Sequence, residues 1–261
     1  MTDQPETVLI TGASSGIGLE LARMFAADNA SLVLVARSDD KLQKIADELR
    51  QRHGIDVRVI VKDLARPEGP DEIAAELSQA GLQVDVLVNN AGFGLAGTFA
   101  ELPLERQMEM VQLNATSLVK LTGLLLSAMI ERRRGGVLNV GSTAAFQPGP
   151  NMAIYFATKA FVLSFSEALH EEVRAKNVTV TCLAPGAVAT NFAAAANMEK
   201  SLLFRQNVLE VGYVARAGHR AFRRKKALIV PGFWNRTFIF AERLLPRSLV
   251  RNLASRITLE N

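Results

Sequence analysis

The sequence predicts an α/β fold in which a doubly wound, seven-stranded parallel sheet is covered by helices on both faces. Short runs rich in Val, Ile and Leu alternate along the chain with longer stretches whose apolar residues recur at helical spacing. Most of the short runs are apolar at successive positions, which is typical of strands that are buried on both faces of a parallel sheet. We therefore expect a single domain over residues 1–261, built from right-handed βαβ units.

The predicted elements follow this alternation in order. Seven strands are predicted over residues 8–11, 31–36, 56–61, 84–89, 136–140, 179–184 and 227–230. Five helices are predicted over residues 17–27, 39–52, 70–80, 104–131 and 152–176. Ser38 is the candidate cap of the second helix, and the two acidic residues after it suit the positive end of the helix dipole. Composition assigns residues 190–226 to an irregular, substrate-covering region and residues 233–261 to a basic, amphipathic tail.

The first predicted strand leads into the glycine-rich sequence TGASSGIG, which precedes the first predicted helix. Glycine allows a tight turn and lets backbone amides approach a pyrophosphate at the N-terminus of a helix. We therefore predict that a dinucleotide contacts the residues of this turn, which are Gly12, Ser14, Ser15, Gly16, Ile17 and Gly18.

The end of the second strand, in LVLVARSDD, indicates which dinucleotide is bound. Folds of this kind often place an acid here to bind the ribose hydroxyls, but this chain has Arg37. A guanidinium matches a phosphate in a bidentate, charge-assisted way. The sequence therefore predicts NADP(H), with Arg37 on the 2′-phosphate and Ser14 as a helper. The alternative is a solvated Arg37, with Asp39 or Asp40 reaching the ribose.

Polar motifs also follow the third and fourth predicted strands. KDLA contains Asp63 and Leu64, and NNAG contains Asn90, Ala91 and Gly92. Ligands of open α/β sheets bind at the carboxyl ends of the strands, so these residues are predicted to line the adenine and the ribose. Taken singly, Asp63 is equally compatible with a helix cap and NNAG with a turn.

A second group of residues predicts proton-transfer chemistry. Tyr155 and Lys159, in YFATK, lie one helical turn apart on the same face of a helix, and Ser142 follows the fifth strand. Hydride transfer to a carbonyl generates an alkoxide, which needs a proton donor and hydrogen-bond stabilisation. We expect the Lys159 ammonium to lower the pKa of Tyr155 from about 10, and Ser142 to hold the carbonyl oxygen. Asn114 is predicted to hold a water that relays protons to Lys159, and its alternative role is a helix-bending or interhelical asparagine.

Together, TGASSGIG, NNAG, Asn114, Ser142, YFATK and the Pro185-Gly186 pair resemble the short-chain dehydrogenase/reductase family in order and spacing, over about residues 7–190. The resemblance implies a Rossmann fold, a catalytic tetrad with Tyr155 as general acid/base, and a lysine that also binds the nicotinamide ribose. It also implies a homodimer or homotetramer assembled through helices 104–131 and 152–176. More narrowly, NNAGFG, YFATKAFVLSFSEAL, VPG and LLPRSL resemble a bacterial subgroup often labelled DltE-like. The nicotinamide contacts implied by the family are Pro185, Gly186, Val188 and Thr190.

Composition limits the cellular context and the classes of ligand. Cys182 is the only cysteine, which predicts a reduced, cytoplasmic protein, and no secretory signal is expected at the N-terminus. The most apolar long window, residues 111–130, is interrupted by polar residues, which argues against a membrane span. The three histidines lack metal-ligand spacing, so no metal site is expected. No nucleic-acid partner is predicted.

Basic residues concentrate in the C-terminal quarter of the chain. Residues 201–261 hold 12 Lys/Arg against 3 Asp/Glu, whereas residues 1–200 hold 18 against 23. For the tail, the sequence leaves open an interfacial helix on anionic lipid, a basic rim for an anionic substrate, and a helix docked on the body or on a partner subunit. Apolar side chains in the substrate-covering region predict an apolar substrate, and the alternative is a pair of helices that packs without a role in substrate binding. These side chains are Phe192, Met198, Leu202, Leu203 and Phe204.

The sequence therefore predicts an NADP(H)-dependent oxidoreductase acting on an apolar ketone, aldehyde or secondary alcohol. One alternative is a sugar-nucleotide epimerase or dehydratase, which can share the YxxxK motif. The three-residue gap between Gly12 and Gly16 and the modest chain length argue against it. The other alternative is an NADP-sensing binding protein without turnover, which the intact set of four catalytic residues disfavours.

Overall fold

A computed structural model describes residues 5–190 and 208–258, and a seven-stranded sheet runs through the centre of these residues. Neighbouring strands are parallel throughout, in the order β3-β2-β1-β4-β5-β6-β7. The predicted fold is therefore confirmed, and no strand boundary differs from its prediction by more than two residues. The strands are β1 Thr7–Thr11, β2 Ser31–Ala36, β3 Val57–Val61, β4 Val86–Asn89, β5 Gly136–Val140, β6 Thr179–Leu183 and β7 Leu228–Ile229.

Helices cover the sheet on both faces and are numbered here along the described residues. Short 3₁₀ helices also occur at Thr143–Phe146 and Arg174–Lys176. The α-helices are α1 Gly16–Ala27, α2 Asp39–His53, α3 Gly69–Gln79, α4 Leu104–Val111, α5 Ser117–Glu131, α6 Ala153–Val173, α7 Val211–Arg223, α8 Phe233–Leu244 and α9 Arg247–Thr258.

Alternate residues of the strands supply two separate cores. In β1, Val8 and Ile10 face a fully buried cluster to which α1, α2 and α7 contribute, including Phe25 and Phe222. Leu9 faces the opposite cluster, which is built with α3, α5 and α6. Apolar side chains at successive strand positions are thus explained by burial on both faces, as a parallel sheet requires.

The predicted helix 104–131 is interrupted by a π-helical segment, Gln112–Thr116, which lies between α4 and α5. By length and composition Leu104–Glu131 is apolar enough to cross a membrane. However, the Ser117 hydroxyl donates to the Leu64 carbonyl at 2.6 Å, and Thr122 Oγ1 accepts from the Asn89 amide at 3.1 Å. These buried hydrogen bonds join the helix to the strand ends, so we assign it to the layer that covers the sheet.

Two local predictions differ from the structure. Ser38 occupies the N-cap position of α2, but its side chain makes no capping hydrogen bond. The interpretation of residues 190–226 as irregular is wrong for α7, which Glu210 caps by accepting from the amides of Gly212 and Tyr213. Glycines at 212 and 218 lower the helix propensity of this segment and so obscured it in the sequence. The structure uses Gly218 for close packing, because a Cβ there would lie 2.6 Å from Leu183.

The remainder of the predicted substrate-covering region lies outside the described residues. This applies to Phe192, Met198, Leu202, Leu203 and Phe204, on which the expectation of an apolar lid depended. The tail is described as far as residue 258. Within it, Leu245 and Pro246 separate α8 from α9. Pro246 therefore lies at the boundary between two helices.

Candidate active site

A cleft of about 720 Å³ opens where the strand order reverses, at the carboxyl ends of β1 and β4. This is the position at which open α/β sheets bind ligands, and the volume lies within the usual range of ligand clefts. Every predicted site residue except Gly18 and Asn114 lines this cleft. The glycine turn, the strand-end motifs, the Tyr155 group and the segment from Pro185 to Thr190 therefore converge on one site.

The glycine turn has the geometry of an anion cradle. Gly12 and Gly16 adopt left-handed backbone conformations with φ of +65° and +58°, which favour glycine. Helix α1 begins at Gly16, and its N-cap residue, Ser15, makes no side-chain capping hydrogen bond. Free amides at a helix N-terminus bind phosphate groups, so the turn fits the pyrophosphate of a dinucleotide.

Asn90 and Gly18 act behind this turn. The Asn90 carboxamide donates to the carbonyls of Thr11 and Gly12, at 2.9 and 3.1 Å. A Cβ at Gly18 would lie 2.4 Å from Asn90 Nδ2 and 2.5 Å from the Gly12 carbonyl oxygen. Gly18 is therefore needed for the close approach of α1 to the turn, and the Asn90 side chain ties β1 to β4.

Arg37 lies at the end of β2 with 74% of its side chain exposed. Its Nη1 is 3.9 Å from Asp63 Oδ2, which is a loose pairing. Two lining residues that the sequence analysis missed, Ser38 and Arg66, belong to the same end of the cleft. Arg66 follows Asp63 by three positions in KDLAR, and that spacing from a strand end was the available signal. Exposed guanidinium groups at this end of the cleft suit a phosphate.

Tyr155 and Ser142 meet on the opposite side of the cleft. Ser142 caps the 3₁₀ helix after β5, where its Oγ accepts from the Ala144 amide at 3.1 Å. It is also hydrogen-bonded to the Tyr155 side chain. Tyr155 lies on α6 and is only 8% exposed, although it lines the cleft. This arrangement holds a phenol and a hydroxyl side by side, where a carbonyl oxygen can accept from both.

The expected lowering of the Tyr155 pKa is wrong for this structure. Burial raises the pKa of Tyr155 to about 12, and the Ser142 hydrogen bond offsets only part of that effect. Lys159 lies with its Nζ 5.8 Å from the centroid of the Tyr155 ring and donates to the Val140 carbonyl at 2.9 Å. Burial also lowers the pKa of Lys159 itself, to about 8. Desolvation is therefore the main cause of both pKa shifts.

Asn114 lies in the π-helical segment and is buried outside the cleft lining. Its side chain accepts from the Phe93 amide at 3.1 Å and donates to the Phe93 carbonyl at 2.9 Å. It also donates to Thr158 Oγ1 at 3.2 Å, and the Thr158 hydroxyl donates to the Tyr155 carbonyl at 2.8 Å. Asn114 thus joins the loop after β4 to the helix that carries Tyr155. The predicted water relay remains a prediction.

Beyond Tyr155 the cleft is lined by residues that were not predicted as site residues. Arg106 stacks over the Phe93 ring at 5.1 Å and forms an ion pair with Glu109. The other members of this wall come from the 3₁₀ helix, from the start of α6 and from the loop between them. They are Ala144, Gln147, Met152 and Phe156. Among the described residues, no group of three or more His, Cys, Asp and Glu residues has the arrangement of a metal site.

Comparison with known proteins gives consistent results. Residues 6–201 match a family model described as short chain dehydrogenase. The very-long-chain 3-oxoacyl-CoA reductase of Bos taurus is 38% identical over 192 residues, which cover 72% of this chain and 61% of that protein. The chain thus spans less than two thirds of the length of that relative.

Two solved structures share nearly the whole fold. A short-chain dehydrogenase from Sphingobium yanoikuyae in complex with NADPH is 32% identical, with a TM-score of 0.82 over 92% of this chain and 94% of the other. The bulky-bulky ketone specific alcohol dehydrogenase from Comamonas testosteroni is 31% identical, with a TM-score of 0.78 over 93% and 94% of the two chains.

Proposed function

The chain belongs to the short-chain dehydrogenase family, and we propose that it is an NADP(H)-dependent oxidoreductase that interconverts apolar ketones or aldehydes and their alcohols. One observation supports this most directly. The buried Tyr155 and Lys159 and the half-buried Ser142 line the same cleft as the glycine turn and Arg37. A proton donor and a dinucleotide cradle in one cleft are the two components that carbonyl reduction requires.

A nicotinamide cofactor follows from the family, and we propose NADP(H) rather than NAD(H). The exposed Arg37 and Arg66 at the end of the cleft support a bound 2′-phosphate. We further propose that Asp63 and Leu64 lie against the adenine and ribose. The proposed cofactor site is completed by Ala91, Gly92 and the segment from Pro185 to Thr190. The structure of the Sphingobium protein in complex with NADPH supports the choice of cofactor.

In the proposed mechanism, the glycine turn, Arg37 and Lys159 would hold a nicotinamide cofactor, which would supply a hydride to the carbonyl carbon or accept one from the alcohol. Ser142 donates a hydrogen bond to the substrate oxygen and orients it towards Tyr155. The Tyr155 hydroxyl donates its proton to that oxygen as negative charge develops there. Lys159 binds the nicotinamide ribose and stabilises the phenolate that remains, and Asn114 fixes the loop and helix on either side.

An apolar substrate is supported by the wall beyond Tyr155. Phe93, Met152 and Phe156 present apolar surface there, and Gln147 is an uncharged polar residue among them. The Bos taurus relative is named for a very-long-chain 3-oxoacyl-CoA, and the Comamonas enzyme for bulky-bulky ketones. We therefore propose a bulky ketone of the ketoacyl or steroid type. Membership of the bacterial DltE-like subgroup is a separate proposal, which the motifs NNAGFG, YFATKAFVLSFSEAL, VPG and LLPRSL support.

We also propose a cytoplasmic homodimer or homotetramer with peripheral membrane contact through the tail. Exposed apolar residues on the predicted oligomer helices support self-association, namely Leu104, Met108, Leu124 and Phe161. A single, buried cysteine is compatible with a reducing compartment.

The proposed function is tested by screening ketones, aldehydes and 3-ketoacyl thioesters for consumption of NADPH and NADH. Wild type should oxidise NADPH with at least one bulky ketone, and Arg37→Ala should raise KM for NADPH while leaving KM for NADH unchanged. Arg52→Ala, an exposed arginine of α2, is the matched control. An unchanged cofactor preference in Arg37→Ala would overturn the NADP(H) assignment. Absence of turnover across the panel would favour an NADP-sensing protein.

A further inference from the structure

Helix α8 presents an apolar face to solvent. Its apolar side chains are exposed by 57 to 72%, whereas Ile239 on the same helix is 9% exposed and contacts the body. Monomeric proteins rarely expose contiguous apolar patches of this kind unless the patch binds something. The exposed set, called here the aromatic face, consists of Phe233, Trp234, Phe238, Phe240 and Leu244.

The aromatic face is continuous and carries no charge. At about 100° per residue, its five members and the uncharged Thr237 and Ala241 cover an arc of about 160° centred opposite Ile239. Ring contacts order part of this surface, because Trp234 lies 5.7 Å from Phe233 and 6.5 Å from Phe238 between ring centroids. The helix thus has two apolar sides, one that packs on the body and one that faces solvent.

Exposed arginines border the aromatic face. Arg236 and Arg243 follow it along one edge of α8, and Arg247 and Arg251 continue the series on α9. Residues 233–258 contain one acidic residue, Glu242, which is only partly exposed and whose pKa is raised by burial. The surface therefore fits a partner that is apolar at its centre and anionic at its edge.

A second copy of this chain fits that description poorly. An antiparallel two-fold contact between two aromatic faces would bring Arg236 and Arg243 beside the same arginines of the other copy, and like charges oppose such an interface. An anionic bilayer has the complementary arrangement, because acyl chains accept the aromatic rings while phosphate headgroups accept the arginines. We propose that the aromatic face binds an anionic lipid bilayer.

Because of the position of α8, a bilayer bound to the aromatic face would lie close to the active-site cleft. This part of the inference rests on the proposed function. The Asn235 amide donates to the Pro231 carbonyl at 2.8 Å, and a Cβ at Gly186 would lie 2.7 Å from Asn235 Nδ2. Gly186 lines the cleft, so α8 is fixed against the rim of the active site. A bulky apolar ketone dissolved in the bilayer would therefore lie beside the cleft that reduces it.

Trp234 is the only tryptophan of the chain, so its fluorescence reports directly on this face. The wild-type protein is mixed with phosphatidylcholine vesicles, with and without phosphatidylserine, and with vesicles whose acyl chains are brominated. We expect cosedimentation with the phosphatidylserine vesicles, a blue shift of the emission, and quenching by the brominated chains. Absence of cosedimentation, or cosedimentation without quenching, would overturn the proposal.

Variants separate the two parts of the surface. Phe233→Ser/Phe240→Ser should lose both cosedimentation and quenching, and Arg236→Gln/Arg243→Gln should lose the dependence on phosphatidylserine. The matched controls, Phe99→Ser/Tyr213→Ser and Arg52→Gln/Arg58→Gln, change exposed residues on other elements and should bind as wild type does. A blue shift that depends on protein concentration without lipid would indicate a second copy and would overturn the proposal.

These readouts require no turnover, so they remain informative if the proposed reaction is wrong. If the reaction is correct, phosphatidylserine vesicles should lower KM for a membrane-partitioned ketone in wild type but not in Phe233→Ser/Phe240→Ser. The KM for a short, water-soluble ketone should be the same in both proteins. An equal effect of vesicles on both proteins would overturn delivery of substrate from the bilayer.

Discussion

Tyr155 and Lys159 are both buried where α6 packs beside β5, and burial shifts their pKa values in opposite directions. Burial raises the pKa of the phenol to about 12 and lowers the pKa of the ammonium to about 8. At neutral pH the phenol is therefore a neutral acid, hydrogen-bonded to Ser142, with a cation beneath its ring. This protonation state suits the proposed reduction, in which Tyr155 must donate a proton.

Replacement of the phenol tests its role at the level of one atom. Tyr155→Phe should lower kcat by about 10²- to 10⁴-fold, which is the usual contribution of a positioned acid. The ring still packs, so the dissociation constant for NADPH and the midpoint of thermal unfolding should stay close to wild type. Tyr213→Phe, at the other tyrosine of the chain, is the control and should retain full kcat. Equal kcat in Tyr155→Phe and wild type would exclude Tyr155 as the acid.

The lowered pKa of Lys159 predicts that the free energy of unfolding depends on pH. Its folded pKa of about 8 lies below the unfolded value of 10.5, so between these values the unfolded state binds more protons. The lysine's destabilising effect is fully present below about pH 8 and disappears as the pH rises towards 10.5.

We therefore expect Lys159→Met to unfold with a higher free energy than wild type near pH 7, by on the order of 1–3 kcal/mol. That difference should shrink as the pH rises to about 9. Urea unfolding of both proteins over this range measures it, with the exposed Lys44→Met as control. A difference between Lys159→Met and wild type that does not change with pH would contradict the shifted pKa.

At the scale of elements, the cofactor end depends on the close approach of α1, the glycine turn and Asn90. Gly18→Ala places a Cβ 2.4 Å from Asn90 Nδ2, and the neighbouring Gly12 carbonyl cannot move away easily. We expect a loss of about 1–3 kcal/mol in stability and weaker NADPH binding, because overpacking displaces the turn. Denaturant unfolding and NADPH titration measure the two effects.

Gly123→Ala is the matched control for this substitution. Gly123 also lies within a helix, α5, but a Cβ there meets nothing within 4 Å. Alanine has the higher helix propensity, so this variant should gain up to about 1 kcal/mol and bind NADPH normally. A gain in stability for Gly18→Ala as well would show that the turn is not closely packed.

The elements also show what could be predicted from the sequence and what could not. Strand positions and half of the cleft lining were predictable, because apolar runs and the motifs that follow them are contiguous in the chain. Helix α7 is difficult to recognise in the sequence because Gly212 and Gly218 lower its helix propensity, although Gly218 packs closely against Leu183. The pKa of Tyr155 depends on burial by the whole fold, and Phe93 and Met152 reach the cleft only through tertiary packing. For Asn114, the alternative of a helix-bending or interhelical asparagine agrees with its place in the π-helical segment and its hydrogen bond to Thr158.

At the scale of the whole molecule, the reversal of strand order between β1 and β4 places the cleft at the centre of the sheet. One half of the sheet supplies the glycine turn and Arg37, and the other half supplies Ser142 and the segment after β6. Charge is distributed unevenly along the chain, because residues 201–261 carry the excess of basic residues. The chain thus combines a central cleft with a basic, apolar surface at one edge, where α8 and α9 lie.

Transfer of a labelled hydride tests the proposed reaction most directly. Wild type is incubated with a bulky ketone and NADPH carrying deuterium at C4, in the two stereochemical forms separately, and the product is analysed by mass spectrometry. The proposed function predicts deuterium on the carbinol carbon from one form only, and almost none with Tyr155→Phe over the same time. Oxidation of NADPH without deuterium in the product, or equal transfer by Tyr155→Phe, would contradict it.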